Sequence, residues 1–320
     1  NKLAKRMKAF TGIDFIFEDS INRLIYTEGV YPVQGVRPII TTINQQIRSN
    51  LSNFIQEIYL VPSENISTLK FYINEDRLIC DYYSSQIKVH SSEKILSLVL
   101  KKLRKPKNDE FQVITAVHES GHAILGYILL GLTPEIICSS STDSSIGGFV
   151  FTRFEQEYVA KNQILPRVAM MLGGYAAEDI IFGKDNITTG AEGDIEKATT
   201  FLSNMYLKCG LGDLPINYGL PVADFWTSYH NHTAIEEKIK ETIMEGLSLA
   251  KATLLKEKHL LLFMSDYLSE QVTLSKVETS AFFEKYAQKE KHLNKQSFIS
   301  YRGILKKQKK AFNQLPQLIS

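Results

Sequence analysis

Three cysteines in 320 residues, Cys80, Cys138 and Cys209, are odd in number and widely spaced. They cannot form a disulfide framework and point to a reducing compartment. No GxxxxGK[ST] segment occurs anywhere in the chain; lacking a loop that cradles phosphates, this stretch alone is not expected to hydrolyse ATP. Unbroken apolar runs are short. The longest, Ile95 to Leu100 and Ala123 to Leu132, fall well below the ~20 residues that cross a bilayer, and no signal-peptide pattern opens the chain. Excess charge is also missing: 37 Lys and Arg face 35 Asp and Glu, for a net +2. No strong electrostatic partner is implied, and no nucleic acid is expected. There is no internal repeat. At 44% hydrophobic and 22% charged the chain can build ordinary cores, and its length suits two domains.

What is present is chemically pointed. His118-Glu119-Ser120-Gly121-His122 is an HExxH pentapeptide, which on a helix puts two imidazoles on one face and a carboxylate about 100° round. The flanks predict that helix. Lys107-Asn108-Asp109 is a polar start, Phe111, Ile114, Val117, Gly121, Ile124 and Leu125 recur at helical spacing, and Gly131 and Pro134 end the run. Gly121 leaves room beside the histidines for another backbone or a substrate. His118 and His122 are therefore candidate zinc ligands and Glu119 the candidate general base.

A zinc site needs at least a third protein ligand. The extension HxxGxxH is absent, because Leu125 and Ile128 occupy its positions. A glutamate on a helix shortly downstream is absent too, since residues 138–145 read as a polar loop. The next helical pattern, about 164 to 182, carries Val168, Met171, Leu172, Tyr175, Ala176 and Ile180 on one face and ends at Gly183. Asp194 opens a further helix, where an acidic residue is also favoured simply as a cap. Glu135 and Asp143 remain alternative third ligands on residue type alone.

HESGH, then GGYAAEDIIFG (173–183), then TTGAEGDIEKAT (188–199) resemble, in order and spacing, the FtsH-type membrane-linked ATP-dependent zinc proteases. The resemblance covers about 107 to 287. It implies Asp194 as third zinc ligand and Glu178 as the carboxylate that orients a ligating histidine. It also implies that Ile146 to Phe151 is a strand beside the cleft, to which substrate adds in extended form. Ser120 stands where alanine is usual in that family, Tyr175 where arginine is common, and Glu192-Gly193 where Ser-Asn is usual. None of these is a proposed ligand or the base.

The first hundred residues carry a different signature. Thr11-Gly12-Ile13-Asp14-Phe15, Phe17-Glu18-Asp19, Gly29 to Pro32 and Gly35-Val36-Arg37-Pro38-Ile39 resemble the small lid subdomain of Clp-type AAA+ unfoldases. That resemblance implies Arg37 as a nucleotide sensor, a role suited to the planar guanidinium fork. Thr68 to Ile73 and Arg77 to Tyr82, joined by Asn74-Glu75-Asp76, form a hairpin signal. The combination is unusual, because FtsH-type proteases generally carry a lid without this GxRP element.

The expectation is a mainly α protein with small β elements: an α+β AAA+ lid over 1–105, a mostly helical HExxH zinc protease domain over 106–288, and a basic C-terminal extension over 289–320 that includes Lys306, Lys307, Lys309 and Lys310. A helical pattern from about 233 to 264 reads as a bundle element, with His230 and His232 in a loop before it. The resemblances imply a zinc endopeptidase, cytoplasmic or at the cytoplasmic face of a membrane. It would degrade unfolded polypeptide by attack of zinc-activated water, self-associate as a homo-hexamer, and draw on ATP through an upstream AAA+ part. Any membrane anchor would also lie upstream. The rival reading is a proteolytically inactive assembly or chaperone subunit of such a ring.

Overall fold

The computed structural model describes residues 2–30, 37–60, 65–98, 109–140, 147–154, 158–215, 217, 229–287 and 300–313. The N-terminal part begins with α1 (Lys2–Thr11), β1 (Asp14–Phe17), α2 (Asp19–Gly29) and α3 (Arg37–Thr42), which runs through a π-helical turn, Ile43–Arg48, into α4 (Ser49–Glu57). Three strands follow: β2 (Thr68–Asn74), β3 (Arg77–Ser84) and β4 (Ile87–Ile95). The sheet order is β1-β2-β3-β4, parallel between β1 and β2 and antiparallel elsewhere. The expected hairpin is there, with Asn74 opposite Arg77 and Glu75 at φ 53° in the turn. β4 was not foreseen. Its residues are mostly exposed, so it lacks the buried alternation that betrays a strand. Phe15, Leu24, Ile47, Phe54, Leu69, Phe71, Leu78 and Tyr82 close the core of this part between helices and sheet.

The second part is helical. It comprises α5 (Glu110–Leu130), the short strands β5 (Ile136–Cys138) and β6 (Phe149–Phe151), then α6 (Ile164–Met171), α7 (Gly173–Phe182) and α8 (Glu192–Ser203). α9 (Tyr229–Lys256), α10 (Lys258–Gln271), β7 (Thr273–Ser275), α11 (Lys276–Tyr286) and α12 (Tyr301–Asn313) complete it. The strands form an antiparallel sheet of order β6-β5-β7.

α5 begins and ends where its sequence directs. The Asp109 carboxylate accepts from the Gln112 amide at 2.9 Å as N-cap. At the other end Gly131, at φ 66°, lets its own N–H reach the Tyr127 carbonyl and that of Leu132 reach Gly126, a Schellman closure. By length and apolar composition α5 meets the test for a membrane span, yet 72% of its most apolar window is buried within the protein. It is the central core helix, apolar nearly all round because neighbours surround it. Its Ala116, Ile124 and Leu125 pack with Ala176 of α7, Leu254 of α9, Leu261 and Met264 of α10, Leu274 of β7 and Phe283 of α11.

Three expectations are corrected. The pattern over 164–182 is two helices, broken at Leu172 (φ −90°, ψ 10°), because the chain must turn there to lay Gly173 against α5. The pattern over 233–264 starts earlier, at Tyr229, and breaks at Glu257, so α10 folds back on α5. His230 and His232 therefore belong to the first turn of α9 rather than to a loop; their side chains lie outside the described residues.

Candidate active site

Two helices cross so closely at the HExxH segment that only glycine fits. A methyl group on Gly121 would lie 2.3 Å from the Gly173 carbonyl oxygen, and one on Gly173 would lie 2.9 Å from the Gly121 carbonyl carbon. Gly174 sits one residue further along α7, and a methyl there would be 2.2 Å from the His118 ring. The glycine pair thus brings α7 onto α5 and leaves a slot that the imidazole fills. Nothing in helix propensity favours adjacent glycines in the first turn of a helix. The close approach is the reason for them.

His118 is seated by α7 and by the turn beyond it. Its Nδ1 lies 2.7 Å from Glu178 Oε1, and the other carboxylate oxygen accepts from the Thr188 amide at 2.7 Å. Glu178 is fully buried. His122 Nδ1 lies 2.7 Å from the Met170 carbonyl oxygen at the end of α6. Carboxylate and carbonyl oxygens only accept, so each Nδ1 carries its hydrogen, and in the neutral rings each Nε2 presents a lone pair.

Those two nitrogens meet a third acceptor. Asp194 Oδ2 is 2.9 Å from His118 Nε2 and 3.0 Å from His122 Nε2, and the nitrogens are 3.1 Å apart. Asp194 is the third residue of α8, so it occupies the first turn and is not the cap, which is Ala191. Lys197, one turn on, donates to its other oxygen at 3.0 Å. Three lone pairs converging at these distances repel unless a cation stands among them. A proton is one answer: burial disfavours charge on His118, but hydrogen bonds to Asp194 and Glu178, with the charges of Glu119 and Asp194, raise its pKa to about 10. A metal ion is the other, and imidazole nitrogens with a carboxylate oxygen are a donor set that suits zinc. Among the described residues, His118, His122 and Asp194 are the cluster that could hold a metal.

The same surroundings act on the carboxylates. Burial works to raise Asp194, yet the His122 charge, the bonds to both histidines and Lys197 hold it well below the usual carboxylate range. Glu178 is likewise lowered, its burial outweighed by the bonds from His118 and Thr188. Glu119 goes the other way. Its side chain is buried, and desolvation, with a contribution from Asp194, outweighs His118, His122 and Lys197 and raises it. Three carboxylates in one site thus divide into two held ionised and one whose affinity for a proton is increased, the division a general base requires.

Gly147 and Gly148 lead into β6 across the face of α5. A methyl group on Gly148 would lie 2.4 Å from the Cys138 carbonyl oxygen, 2.5 Å from Thr115 and 3.1 Å from Glu119 Cγ. β6 is the edge of its sheet, so the side turned away from β5 has no strand partner among the described residues.

The structure brings His118, Glu119, His122, Glu178 and Asp194 together. It does not bring Glu135, whose carboxylate pairs with Lys276 at 2.9 Å; Asp143 lies outside the described residues. Arg37 begins α3, and its side chain is outside the described residues. Cys138 is buried in β5 and Cys209 is exposed after α8. The Met170 carbonyl, the Thr188 amide, Lys197 and the Gly174 slot were not foreseen. The doubled glycine inside a helical pattern was the signal for the last.

Comparison with known families gives two matches: peptidase family M41 over residues 106–282, and the C-terminal, D2-small domain of ClpB protein over residues 1–67. Among curated proteins, the ATP-dependent zinc metalloprotease FtsH of Mesomycoplasma conjunctivae is 31% identical over 57% of this chain and 26% of its own length. FtsH 3 of Petrotoga mobilis is 28% identical over 75% of this chain and 37% of its own, and FtsH of Rickettsia bellii 28% over 63% and 34%. The chain thus spans between a quarter and two-fifths of those relatives' lengths.

Proposed function

The chain belongs to peptidase family M41, its FtsH-type protease domain preceded by a AAA+ lid, and on that premise we propose that it is the zinc-dependent endopeptidase part of an ATP-driven unfoldase-protease. The observation that carries this is the convergence of His118 Nε2, His122 Nε2 and Asp194 Oδ2 within 3.1 Å of one another, with buried Glu119 beside them. These three residues would hold zinc. When bound, the ion would acidify a water and polarise the carbonyl to be attacked. Glu119 takes the proton from the attacking water and returns it to the leaving amine. Glu178 and the Met170 carbonyl fix the tautomers and ring planes of His118 and His122. β6, an outer strand of its sheet, is where an extended peptide would add, crossing the helix that carries Glu119.

In this reading the chain divides into a lid over 1–105, a protease domain over 106–288 and a basic extension over 289–320. The whole protein would work as a hexameric ring that feeds unfolded polypeptide from an upstream ATPase to the zinc sites, with Arg37 sensing nucleotide. The ring stands in the cytoplasm or at the cytoplasmic face of a membrane. A proteolytically inactive assembly subunit is disfavoured, since such a subunit has no use for a buried Glu119 beside an intact ligand set.

Two consequences can be measured directly. Glu178→Gln keeps the shape but loses the charge that accepts from His118, and should weaken zinc binding about 10–100-fold, read by competition with a chromogenic chelator. Gly174→Ala pushes a methyl into the His118 slot. Because misplacement by about 1 Å costs on the order of 10²-fold in rate, kcat/KM for casein or a quenched peptide should fall by roughly that factor while circular dichroism stays near wild type. The overall test is zinc stoichiometry together with casein degradation by the full-length protein. One zinc per chain and zinc-dependent cleavage are expected; cleavage that survives complete zinc removal would overturn the reading.

A further inference from the structure

The lid does not simply precede the protease domain; it packs on the sheet that flanks the cleft. Val30, just past α2, is 4% exposed in a cluster with Ile136 and Cys138 of β5, Phe149 of β6 and Val272 before β7, and Tyr26 and Ile39 pack on the same cluster. The Tyr26 and Phe151 rings are 5.8 Å apart between centroids. At the rim Arg23 pairs with Glu278 Oε1 at 3.1 Å, while Glu278 Oε2 accepts from the Ser275 amide and hydroxyl at 2.8 and 2.6 Å, tying the lid to β7. Gly29 allows this placement, since a methyl there would meet Ile39 Cα at 2.9 Å. β5 and β6 therefore have lid residues against them, and β7 is reached through Glu278.

The sheet is otherwise slight. Each strand has three residues. Val272, which leads into β7, adopts φ 53°, a conformation that β-branched residues avoid and that only surrounding packing sustains. So small a sheet does not hold its own register and depends on what covers each face. Helix α5 lies on one side, where Gly148 is pressed against Thr115 and Glu119. The lid cluster is the cover that Tyr26 and Val30 supply.

We propose that Tyr26 and Val30 of the lid are positioning residues for peptide cleavage: they clamp the β5-β6-β7 sheet against α5 and so hold β6, an outer strand, in place beside Glu119. A change in the lid's attitude then alters how well the cleft accepts an extended chain, without touching a metal ligand. The inference rests on the reading of β6 as the strand that substrate joins.

The test uses the zinc-loaded full-length protein, an extended fluorogenic peptide, and the same peptide N-methylated at alternate amides. Tyr26→Ala and Val30→Ala should raise KM for the unmodified peptide about 10-fold, with kcat within about 2-fold of wild type, zinc content unchanged and faster hydrogen exchange at the amides of residues 149–151. Tyr26→Phe, which keeps the ring contact, should behave as wild type. Unchanged KM and exchange in both alanine variants would overturn the proposal, as would a loss confined to kcat or to zinc content. Should an alanine variant fail to fold, Tyr26→Leu keeps apolar bulk but removes the ring contact with Phe151, and the same KM increase is expected at about 3-fold. Wild type that cuts the N-methylated peptide as well as its parent would refute strand addition alone; β6 exchange in the Tyr26 variants then still decides the role of the lid.

Discussion

Glu119→Gln is expected to lower kcat by roughly 10²–10⁴-fold, the usual contribution of a positioned general base, while leaving one zinc per chain. The substitution is nearly isosteric, and Glu119 is 7% exposed on a helix whose neighbours are already close-packed, so the fold has no reason to change. What disappears is the capacity to take a proton. Burial increases that capacity in the wild type by raising the Glu119 carboxyl, whereas Asp194 and Glu178 are held in the opposite sense by the histidines. Neither can substitute for it: Asp194 is engaged by both Nε2 atoms and Lys197, and Glu178 by His118 and the Thr188 amide. Steady-state kinetics on a quenched peptide, with metal analysis of the same sample, checks both halves. Full activity in this variant would remove the base assignment.

Asp194→Ala should have the larger effect on the metal. Two imidazoles would remain, one fewer than the three protein ligands of a catalytic zinc site. Loss of affinity should therefore exceed the roughly 10–100-fold that removing an outer partner costs, and proteolysis should disappear with the zinc. The free site changes too. Asp194 is a leading contributor to the raised pKa of His118, so its removal lets that imidazole fall back toward the ordinary histidine range. The protein should remain folded, because Asp194 lies in the first turn of α8, whereas the α8 core contacts are made by Ala198 and Leu202. Retained zinc at wild-type affinity would mean that another residue, such as Asp143, supplies the third ligand.

Much of the site was legible because its chemistry is local. HESGH on one helix offers two candidate ligands and a candidate base, and Asp109 and Gly131 mark the ends of that helix from sequence alone. Asp194 was harder. An acidic residue in a first helical turn has an ordinary explanation in the helix dipole, and only contact across 72 residues with His122 distinguishes it. The Met170 carbonyl carries no sequence signal at all, since any residue at that position would present one. The doubled glycine at 173 and 174 is where two backbones cross and a ring is seated. The lid was recognisable by its pattern, yet nothing in Tyr26 or Val30 told that they cover a sheet more than a hundred residues away. Long-range packing of ordinary apolar side chains leaves no local trace.

The zinc assignment is tested most directly by X-ray absorption at the zinc edge of the loaded wild-type protein, with Asp194→Ala measured beside it. Two imidazoles and oxygen donors, with no sulfur, are expected in the wild type, and no stoichiometric zinc in the variant. A sulfur ligand, a third imidazole, or an unchanged spectrum in Asp194→Ala would contradict it.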